Sequence, residues 1–295
     1  MKKEIALVFM TLFLFGCTAG IPQEESLPTE VFFCEREDCE QRFAELADSA
    51  ETINCAFYEI DSDEILSVLN EKGARLVIDD KNDSHQMHNK FCIFDSAVVW
   101  TGSLNPRNAT KQKANNIVIV HSKFIAQNYE DEFEELQRGI IQGKKVKTPL
   151  VLLNGNLIET YFCPEDSCKE HVLDALEKAK SSIYFMTFSF TDDDIGKLLL
   201  QKSSSIEVKG LFDKSQNSKW SEYDRLKDFS AKVSSLHHKV FIIDNETVIT
   251  GSYNPTANGN ERNDENLLII HDKTAAERFV EEFSILSGRA FSESP

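Results

Sequence analysis

Two stretches decide the fold: residues 87–106 read MHNKFCIFDSAVVWTGSLNP, and residues 236–255 read LHHKVFIIDNETVITGSYNP. Each contains His-x-Lys-x4-Asp followed seven residues later by Gly-Ser-x-Asn-Pro, and the His and the Asn are 17 residues apart in both. Residues two apart on a strand share a face, so the His and the Lys of each stretch should project together. One such motif is a weak signal, but two copies with identical spacing indicate a duplicated functional unit.

The duplication extends over most of the chain. TEVFFCEREDCEQ (29–41) aligns with IETYFCPEDSCKE (158–170) at an offset of 129 residues, and the same order of strand-like and helix-like segments follows each. Strands alternating with helices predict an α/β sheet in each half, and duplication predicts two similar domains related by a pseudo-twofold axis. The predicted boundaries are a signal peptide (1–16), a flexible tether (17–30), a first domain (31–139), a linker (140–157) and a second domain (158–295).

The amino terminus is typical of an exported protein. Two lysines precede an apolar run from Ile5 to Phe15, which is too short to span a bilayer and is followed by small and polar residues. The segment Leu14-Phe15-Gly16-Cys17 resembles the lipobox of prokaryotic lipoproteins, in which the Cys becomes the lipidated amino terminus. We therefore expect an extracytoplasmic protein anchored to a membrane through Cys17; a simply cleaved signal, with secretion, or a plain amino-terminal anchor is the alternative.

Four cysteines form two pairs with the same spacing, Cys34-x4-Cys39 and Cys163-x4-Cys168. An exported chain meets an oxidising compartment, so a disulfide within each pair is the favoured interpretation, with a four-cysteine zinc site as the alternative. Cys55 and Cys92 lie inside apolar runs and are expected to be small, buried hydrophobic residues.

The charge balance limits the classes of ligand. The 295 residues include 32 Lys and Arg against 49 Asp and Glu, for a formal charge of -17. Such a chain is not a basic protein that coats nucleic acid. Any phosphate site must be a local pocket of positive groups within an acidic surface.

The repeated residue types suit phosphoryl chemistry. Lys ammonium, Asn amide and Ser hydroxyl groups all donate hydrogen bonds, as the oxygens of a phosphoryl group require. Two such sets around one phosphorus would let one His attack as a nucleophile while the other protonates the leaving alcohol. Lysines supply the positive charge, so the sequence calls for neither a metal nor a cofactor. The motif residues Asp95 and Asp244 end apolar runs and are expected to hold turns.

These paired motifs resemble those of the phospholipase D superfamily, over about residues 31–139 and 160–288. The resemblance implies two α/β/α sandwich domains, one active site between them that a monomer completes, and phosphodiester cleavage through a phosphohistidine. It also implies the catalytic positions His88, Lys90, Asn105, His237, Lys239, Asn254 and Glu265, with a phosphate-binding set of Lys90, Ser103, Asn105, Lys239, Ser252 and Asn254.

Two departures from the family pattern stand out. Members usually carry an acidic residue that hydrogen-bonds the catalytic His; Glu265 fills that place in the second half, whereas Asn115 aligns with it in the first. We therefore expect His237 to be the better supported base, and the assignment of the nucleophile stays open. In addition, six residues separate Lys81 from His88 where the second half has 22 before His237, so the first half should lack a loop and a strand.

Three functions remain open. The expected membrane anchor favours hydrolysis of a phospholipid headgroup ester, because tethering raises the local concentration of a lipid substrate. The alternatives are a metal-independent endonuclease of the same superfamily and a non-catalytic phosphate-binding lipoprotein.

Overall fold

The structure is a computed structural model that describes residues 20–80, 85–110 and 112–292. The predicted signal peptide (1–16) and the predicted lipidation site at Cys17 lie outside the described residues. Within those ranges, no helix combines the length and the apolar character that a bilayer crossing requires.

The first half alternates strands with helices, and a short 3-10 turn at Asn108–Thr110 precedes its last strand. Its elements in chain order are β1 (Gln23–Glu24), β2 (Glu30–Phe33), α1 (Cys39–Ser49), β3 (Ile53–Phe57), α2 (Asp63–Glu71), β4 (Arg75–Ile78), β5 (Lys90–Phe94), β6 (Val98–Gly102), β7 (Asn116–His121) and α3 (Lys123–Gln137).

The second half repeats this order with additions, which include a 3-10 turn at Lys227–Phe229. Its elements are β8 (Leu150–Leu153), β9 (Asn156–Cys163), α4 (Cys168–Glu177), β10 (Ser182–Thr187), α5 (Asp193–Lys202), β11 (Glu207–Asp213), α6 (Tyr223–Leu226), β12 (Ser230–Val233), β13 (Lys239–Ile243), β14 (Thr247–Gly251), α7 (Ala257–Glu261), β15 (Glu265–Ile270) and α8 (Lys273–Ser292).

Each half has its own mixed sheet, with strand order β2-β7-β6-β5-β3-β4 in the first and β1-β8-β9-β15-β14-β13-β10-β11-β12 in the second. Six neighbouring strands of the second sheet, β9-β15-β14-β13-β10-β11, repeat the order of the whole first sheet. The register repeats too, since Phe57 pairs with Lys90 and Thr187 pairs with Lys239. The predicted fold class is confirmed: two similar α/β/α domains related by a pseudo-twofold axis.

Helices cover both faces of each sheet because the central strands are buried on both sides. α1 and α2 cover the outer face of the first sheet, and α4 and α5 cover that of the second. α3 and α8 lie at the interface between the halves, within a single buried cluster to which both halves contribute. There Tyr129 of α3 contacts Phe91 of β5 and Phe162 of β9, with ring centroids 5.0 and 5.1 Å apart. The two halves of the chain are therefore joined by a continuous apolar core.

The tether and the linker are more ordered than the sequence suggested. From Gly20 onward the tether is described, and its Gln23–Glu24 pair with Leu152–Leu153 as an edge strand of the second sheet. The linker contains β8, which forms a hairpin with β9, and β9 begins at Asn156 inside the predicted linker. The sequence analysis treated these residues only as a linker and did not predict the short strand β8.

Three disulfides are present in the described residues. Cys34–Cys39 and Cys163–Cys168 match the predicted pairs. Cys55 and Cys92 are fully buried, but the expectation that they are plain hydrophobic residues is wrong because they form a third bond. They are directly opposite each other on antiparallel β3 and β5, with Cα atoms 4.1 Å apart. Their separation of 37 residues gave no sequence signal of this pairing.

The longer connection before the second motif folds into α6, a 3-10 turn and β12, which pairs in parallel with β11. The described residues of the first half contain no counterpart to β12. The predicted loss of a strand there is therefore confirmed, and part of the short loop, residues 81–84, lies outside the described residues.

Each motif Asp holds the turn after its strand. Asp244 has a φ of 55°, and its Oδ1 accepts hydrogen bonds from the backbone amides of Ser181 and Ser182 at 2.7 and 3.0 Å. Asp95 has a φ of 52° and accepts from the amides of Glu51 and Thr52. Both residues thus tie a hairpin turn to the start of β3 or β10, as the sequence predicted.

Replacing Asp244 with Ala should destabilise the fold by about 2 kcal/mol, because several backbone donors lose their acceptor. Urea unfolding followed by circular dichroism measures this. Asp228→Ala, at an exposed position, is the matched control and should change stability by less than about 0.5 kcal/mol. Equal stability of the two variants would contradict the structural role.

Candidate active site

The motif residues meet at one edge of both sheets. Lys90 is the first residue of β5 and Lys239 the first of β13, beside the last residues of β3 and β10. β7 and β15 also start at this edge, so Asn115 and Glu265 lie next to it. Two short parallel bridges, Met87 with Asp264 and Ala114 with Leu236, join the edges of the two halves. The pseudo-twofold axis thus brings two motifs into one cleft.

His88 is held by the opposite half of the chain. Its backbone amide donates to the carbonyl of Asp264 at 2.9 Å, and its Nδ1 lies 2.7 Å from Oε2 of Glu265. Glu265 is fully buried. A carboxylate can only accept here, so Nδ1 of His88 carries the proton and Nε2 is left as the reactive nitrogen.

His237 is held in the reciprocal way by the first half. Its backbone amide donates to the carbonyl of Ala114 at 2.9 Å, and its Nδ1 lies 2.7 Å from Oδ1 of Asn115 and 3.1 Å from the carbonyl of Ser103. The amide orientation is fixed, because Oδ1 of Asn115 also accepts from Ser103 and its Nδ2 donates to the carbonyl of Lys113. Nε2 is again the free nitrogen.

The expectation that Glu265 supports His237 is therefore wrong. Each imidazole takes its partner from the other half, so Glu265 serves His88 and Asn115 serves His237. Aligning the halves shows which residues are equivalent. It cannot show that the start of β7 faces His237 and the start of β15 faces His88 across the interface. The carboxylate supports the first histidine, and the second has a neutral partner.

The two lysines are buried deep in the cleft, with 0% and 3% of their surface exposed. Nζ of Lys90 donates to the carbonyl of His88 at 2.6 Å, and Nζ of Lys239 donates to the carbonyl of His237 at 2.8 Å. Nζ of Lys239 also lies 3.5 Å from Nδ1 of His237. An ammonium group has three protons, so each lysine can also donate to a phosphate oxygen.

Aromatic residues that the sequence analysis did not select wall each lysine. Tyr58 follows β3, lies 5.2 Å from Nζ of Lys90 and contacts the ring of His88 with centroids 4.8 Å apart. Phe188 follows β10 and takes the same position in the second half. Its ring centroid lies 5.4 Å from Nζ of Lys239 and 4.7 Å from the ring centroid of His237. Their shared position after equivalent strands was visible in the repeat, and that was the only signal.

Burial disfavours the charged form of both histidines. Burial lowers the pKa of His88 to about 4 and that of Lys90 to about 7, while Glu265 opposes both shifts. Burial, followed by Lys239, Lys90, Lys113 and His88, lowers the pKa of His237 well below its usual range. The imidazoles and ammonium groups therefore interact within one site. A bound phosphodiester anion would favour protonation of these groups.

Both predicted phosphate-binding serines are engaged inside the protein. Oγ of Ser103 accepts from the backbone amide of Asn116 at 3.0 Å, and Oγ of Ser252 accepts from that of Asn266 at 2.9 Å. Both residues have no exposed surface, and both close the loop after β6 or β14. Their contact with a substrate phosphate stays a prediction. The sequence showed a hydroxyl near the His and Lys but not its direction.

The preceding glycines allow this closure. A Cβ at Gly102 would lie 2.2 Å from the carbonyl oxygen of Asn116, and one at Gly251 would lie 2.3 Å from that of Asn266. The loops then continue to Asn105 and Asn254, which are buried and half-buried. Asn254 has one buried oxygen with no hydrogen-bond partner among the described residues.

Comparisons with known proteins agree with this geometry. The family model described as "Cardiolipin synthase, PLD-like domain" matches residues 45–137 and 172–286. A phospholipase D of Rickettsia conorii is 34% identical over 137 residues, which cover 44% of this chain and 68% of the relative. A mitochondrial cardiolipin hydrolase of Chlamydomonas reinhardtii is 23% identical over 189 residues, covering 52% of this chain and 85% of the relative.

One solved structure shows the same two-domain fold over most of the chain. The phosphatidylserine synthase of Haemophilus influenzae superimposes with a TM-score of 0.64 at 12% identity, covering 89% of this chain and 86% of that one. The family model matches one segment in each half, and each segment contains one His-x-Lys motif. Both histidines of the site thus lie within the matched segments, and this chain belongs to the phospholipase D superfamily.

Proposed function

We propose that this phosphodiesterase hydrolyses the headgroup ester of a phospholipid in two steps, through a phosphohistidine on His88. The observation that carries the proposal is the pair of buried imidazoles, each with Nδ1 held by the opposite half and Nε2 free, beside two buried lysines.

In the first step Nε2 of His88 attacks the phosphorus, and the bond from phosphorus to the headgroup oxygen breaks. With the phosphodiester anion bound, His237 carries a second proton on Nε2, which it gives to that oxygen, so the headgroup leaves as an alcohol and His237 becomes neutral. In the second step neutral His237 takes a proton from water, whose oxygen attacks phosphorus and releases His88. Lys90 and Lys239 stabilise the charge on the phosphoryl oxygens in both steps.

The different partners of the two imidazoles support this division of roles. A bond from Nε2 to phosphorus leaves the His88 ring cationic, and the Glu265 carboxylate at 2.7 Å stabilises that cation. Asn115 is neutral, so it orients His237 without stabilising its charged form. His237 can therefore release its proton readily to the leaving oxygen.

Lipid is the favoured substrate for three reasons. The relatives named phospholipase D and cardiolipin hydrolase match the chain. The formal charge of -17 disfavours non-specific binding of nucleic acid. The proposed lipid anchor at Cys17 would hold the enzyme at a bilayer, outside the cytoplasm.

The substrate is tested with the whole secreted or anchored protein in EDTA. Vesicles of phosphatidylcholine, phosphatidylethanolamine, phosphatidylglycerol or cardiolipin are incubated in parallel with plasmid DNA, single-stranded DNA and RNA. We expect release of a headgroup alcohol from at least one lipid and intact nucleic acids. Cleavage of nucleic acid with no lipid hydrolysis would identify the endonuclease instead.

The assignment of His88 predicts which variant traps the intermediate. With a phosphatidyl ester of 4-nitrophenol, whose leaving group needs no proton, His237→Ala should release a burst of about one nitrophenol per enzyme and accumulate an acid-labile phosphatidyl-enzyme. His88→Ala should give neither the burst nor the adduct, as measured by stopped-flow absorbance and intact-protein mass spectrometry. The reverse pattern would make His237 the nucleophile, and no adduct in any variant would favour the non-catalytic lipoprotein.

The neutral partner of His237 predicts a shift in pH dependence. The protonated form donates, and its fraction falls as the pH rises through the pKa of His237. Asn115→Asp would place a carboxylate against Nδ1 and raise that pKa, so the alkaline limb of kcat/KM should move to higher pH by about one unit or more. Asn70→Asp, which adds the same charge at an exposed position on α2, should leave the profile in place. A shift to lower pH would contradict the role of His237 as the acid.

A further inference from the structure

A third ammonium group enters the cleft from outside the paired motifs. Nζ of Lys113 lies 5.8 Å from the ring centroid of Phe188, against whose ring Lys239 and His237 also pack. Lys113 is half-buried, two residues before Asn115. The side chain therefore borders the wall of the site on the side of His237.

Among the described residues, the equivalent position on the opposite side of the site carries no cation. Asn263 takes the position equivalent to Lys113, and its Nδ2 lies 3.4 Å from Oε1 of Glu265. The groups that act electrostatically on Lys90 from this side are carboxylates, those of Glu265, Glu59 and Asp79. Glu59 is also ion-paired with Arg107. Among the described residues the two sides therefore differ in charge, with Glu265 and Asp79 on the side of His88 and the additional lysine on the side of His237.

This polarity coincides with the direction of the proposed reaction. An in-line displacement by His88 expels the leaving oxygen on the opposite side of phosphorus, next to His237. The rest of the leaving group therefore lies on the side of the site that Phe188 and Lys113 line. A negative charge on the leaving group would be attracted there, and a positive one would be repelled.

We propose that Lys113 is a specificity-determining residue that binds an anionic group on the leaving alcohol, so that the enzyme prefers phospholipids whose leaving group carries a negative charge. The class includes lipids with a second phosphate on the glycerol headgroup, either as a free monoester or as part of a second phosphatidyl unit. The direction of this preference rests on the proposed function, because it requires the leaving group to depart beside His237.

The test uses a ladder of leaving groups that differ in charge. Phosphatidylglycerol and phosphatidylglycerol phosphate differ by one phosphate, cardiolipin carries its second phosphate within a diester, and phosphatidylcholine presents a cation. Each is supplied at the same low mole fraction in neutral detergent micelles, so that the lipid adds little surface charge, and kcat/KM is measured for the full chain. Comparison of the monoester with cardiolipin separates the two sources of the second phosphate.

Wild type should favour the anionic leaving group over glycerol by about tenfold or more, as expected for a charge pair in a partly desolvated cleft. Lys113→Met should remove most of this preference, and Lys113→Glu should reverse it in favour of choline. Lys178→Met removes an exposed lysine of the second half and should leave the ratios unchanged. Unchanged ratios in both Lys113 variants, with wild-type unfolding midpoints, would overturn the proposal.

A soluble pair separates this proposal from the lipid assignment. Methyl 4-nitrophenyl phosphate and its 3-carboxy-4-nitrophenyl analogue differ in the charge of a coloured leaving group and need no bilayer. If no phospholipid is cleaved but Lys113→Glu still inverts the preference between these two esters, the lipid substrate is wrong and the role of Lys113 stands. If the ratio is the same in wild type and both variants, the role of Lys113 is wrong whatever the natural substrate.

Discussion

The crossed hydrogen bonds at Nδ1 of the two histidines are the constraint on which the site depends. Neither half can orient its own imidazole, because Glu265 reaches His88 and Asn115 reaches His237 across the interface. The geometry therefore exists only when the halves are docked, and the shared apolar core around Tyr129 fixes that docking. A change that shifts the packing of the two halves would therefore also shift the orientation of both histidines.

Behind the reactive groups, the interface is also joined by buried polar contacts. Nδ2 of Asn116 donates to Thr250 at 2.8 Å, and Thr101 donates to Oδ1 of Asn266 at 3.0 Å, so an Asn–Thr pair joins the two sheets on each side, with donor and acceptor exchanged. Polar groups without water form such bonds only at particular separations and angles. They fix the relative position of two sheets that apolar packing alone would hold less specifically.

The paired motifs were sufficient to predict the duplicated α/β fold, the meeting of the two His-x-Lys pairs at one edge of the sheets, and the turn-holding role of Asp95 and Asp244. The catalytic roles of the motif residues stay predictions. Sequence equivalence gave Glu265 and Asn115 as counterparts but attached them to the wrong histidines, because strand order within a half says nothing about contacts across the interface. The directions of the Ser103 and Ser252 hydroxyls, the Cys55–Cys92 bond and the entry of Lys113 depend on three-dimensional placement. Roles that depend on spacing along one strand could be predicted from the sequence. Roles that depend on how the two halves dock could not.

Fusion of the two halves in one chain has a consequence for how such a site can diverge. In an assembly of identical subunits every substitution appears twice, once on each side of the axis. Here a single codon change alters one side only, so an amide stands at position 115 opposite the carboxylate at 265, and a lysine at 113 opposite the asparagine at 263. Covalent linkage thus releases the two sides from identity while keeping their common geometry, and each can specialise for one partner of the bond that is cut.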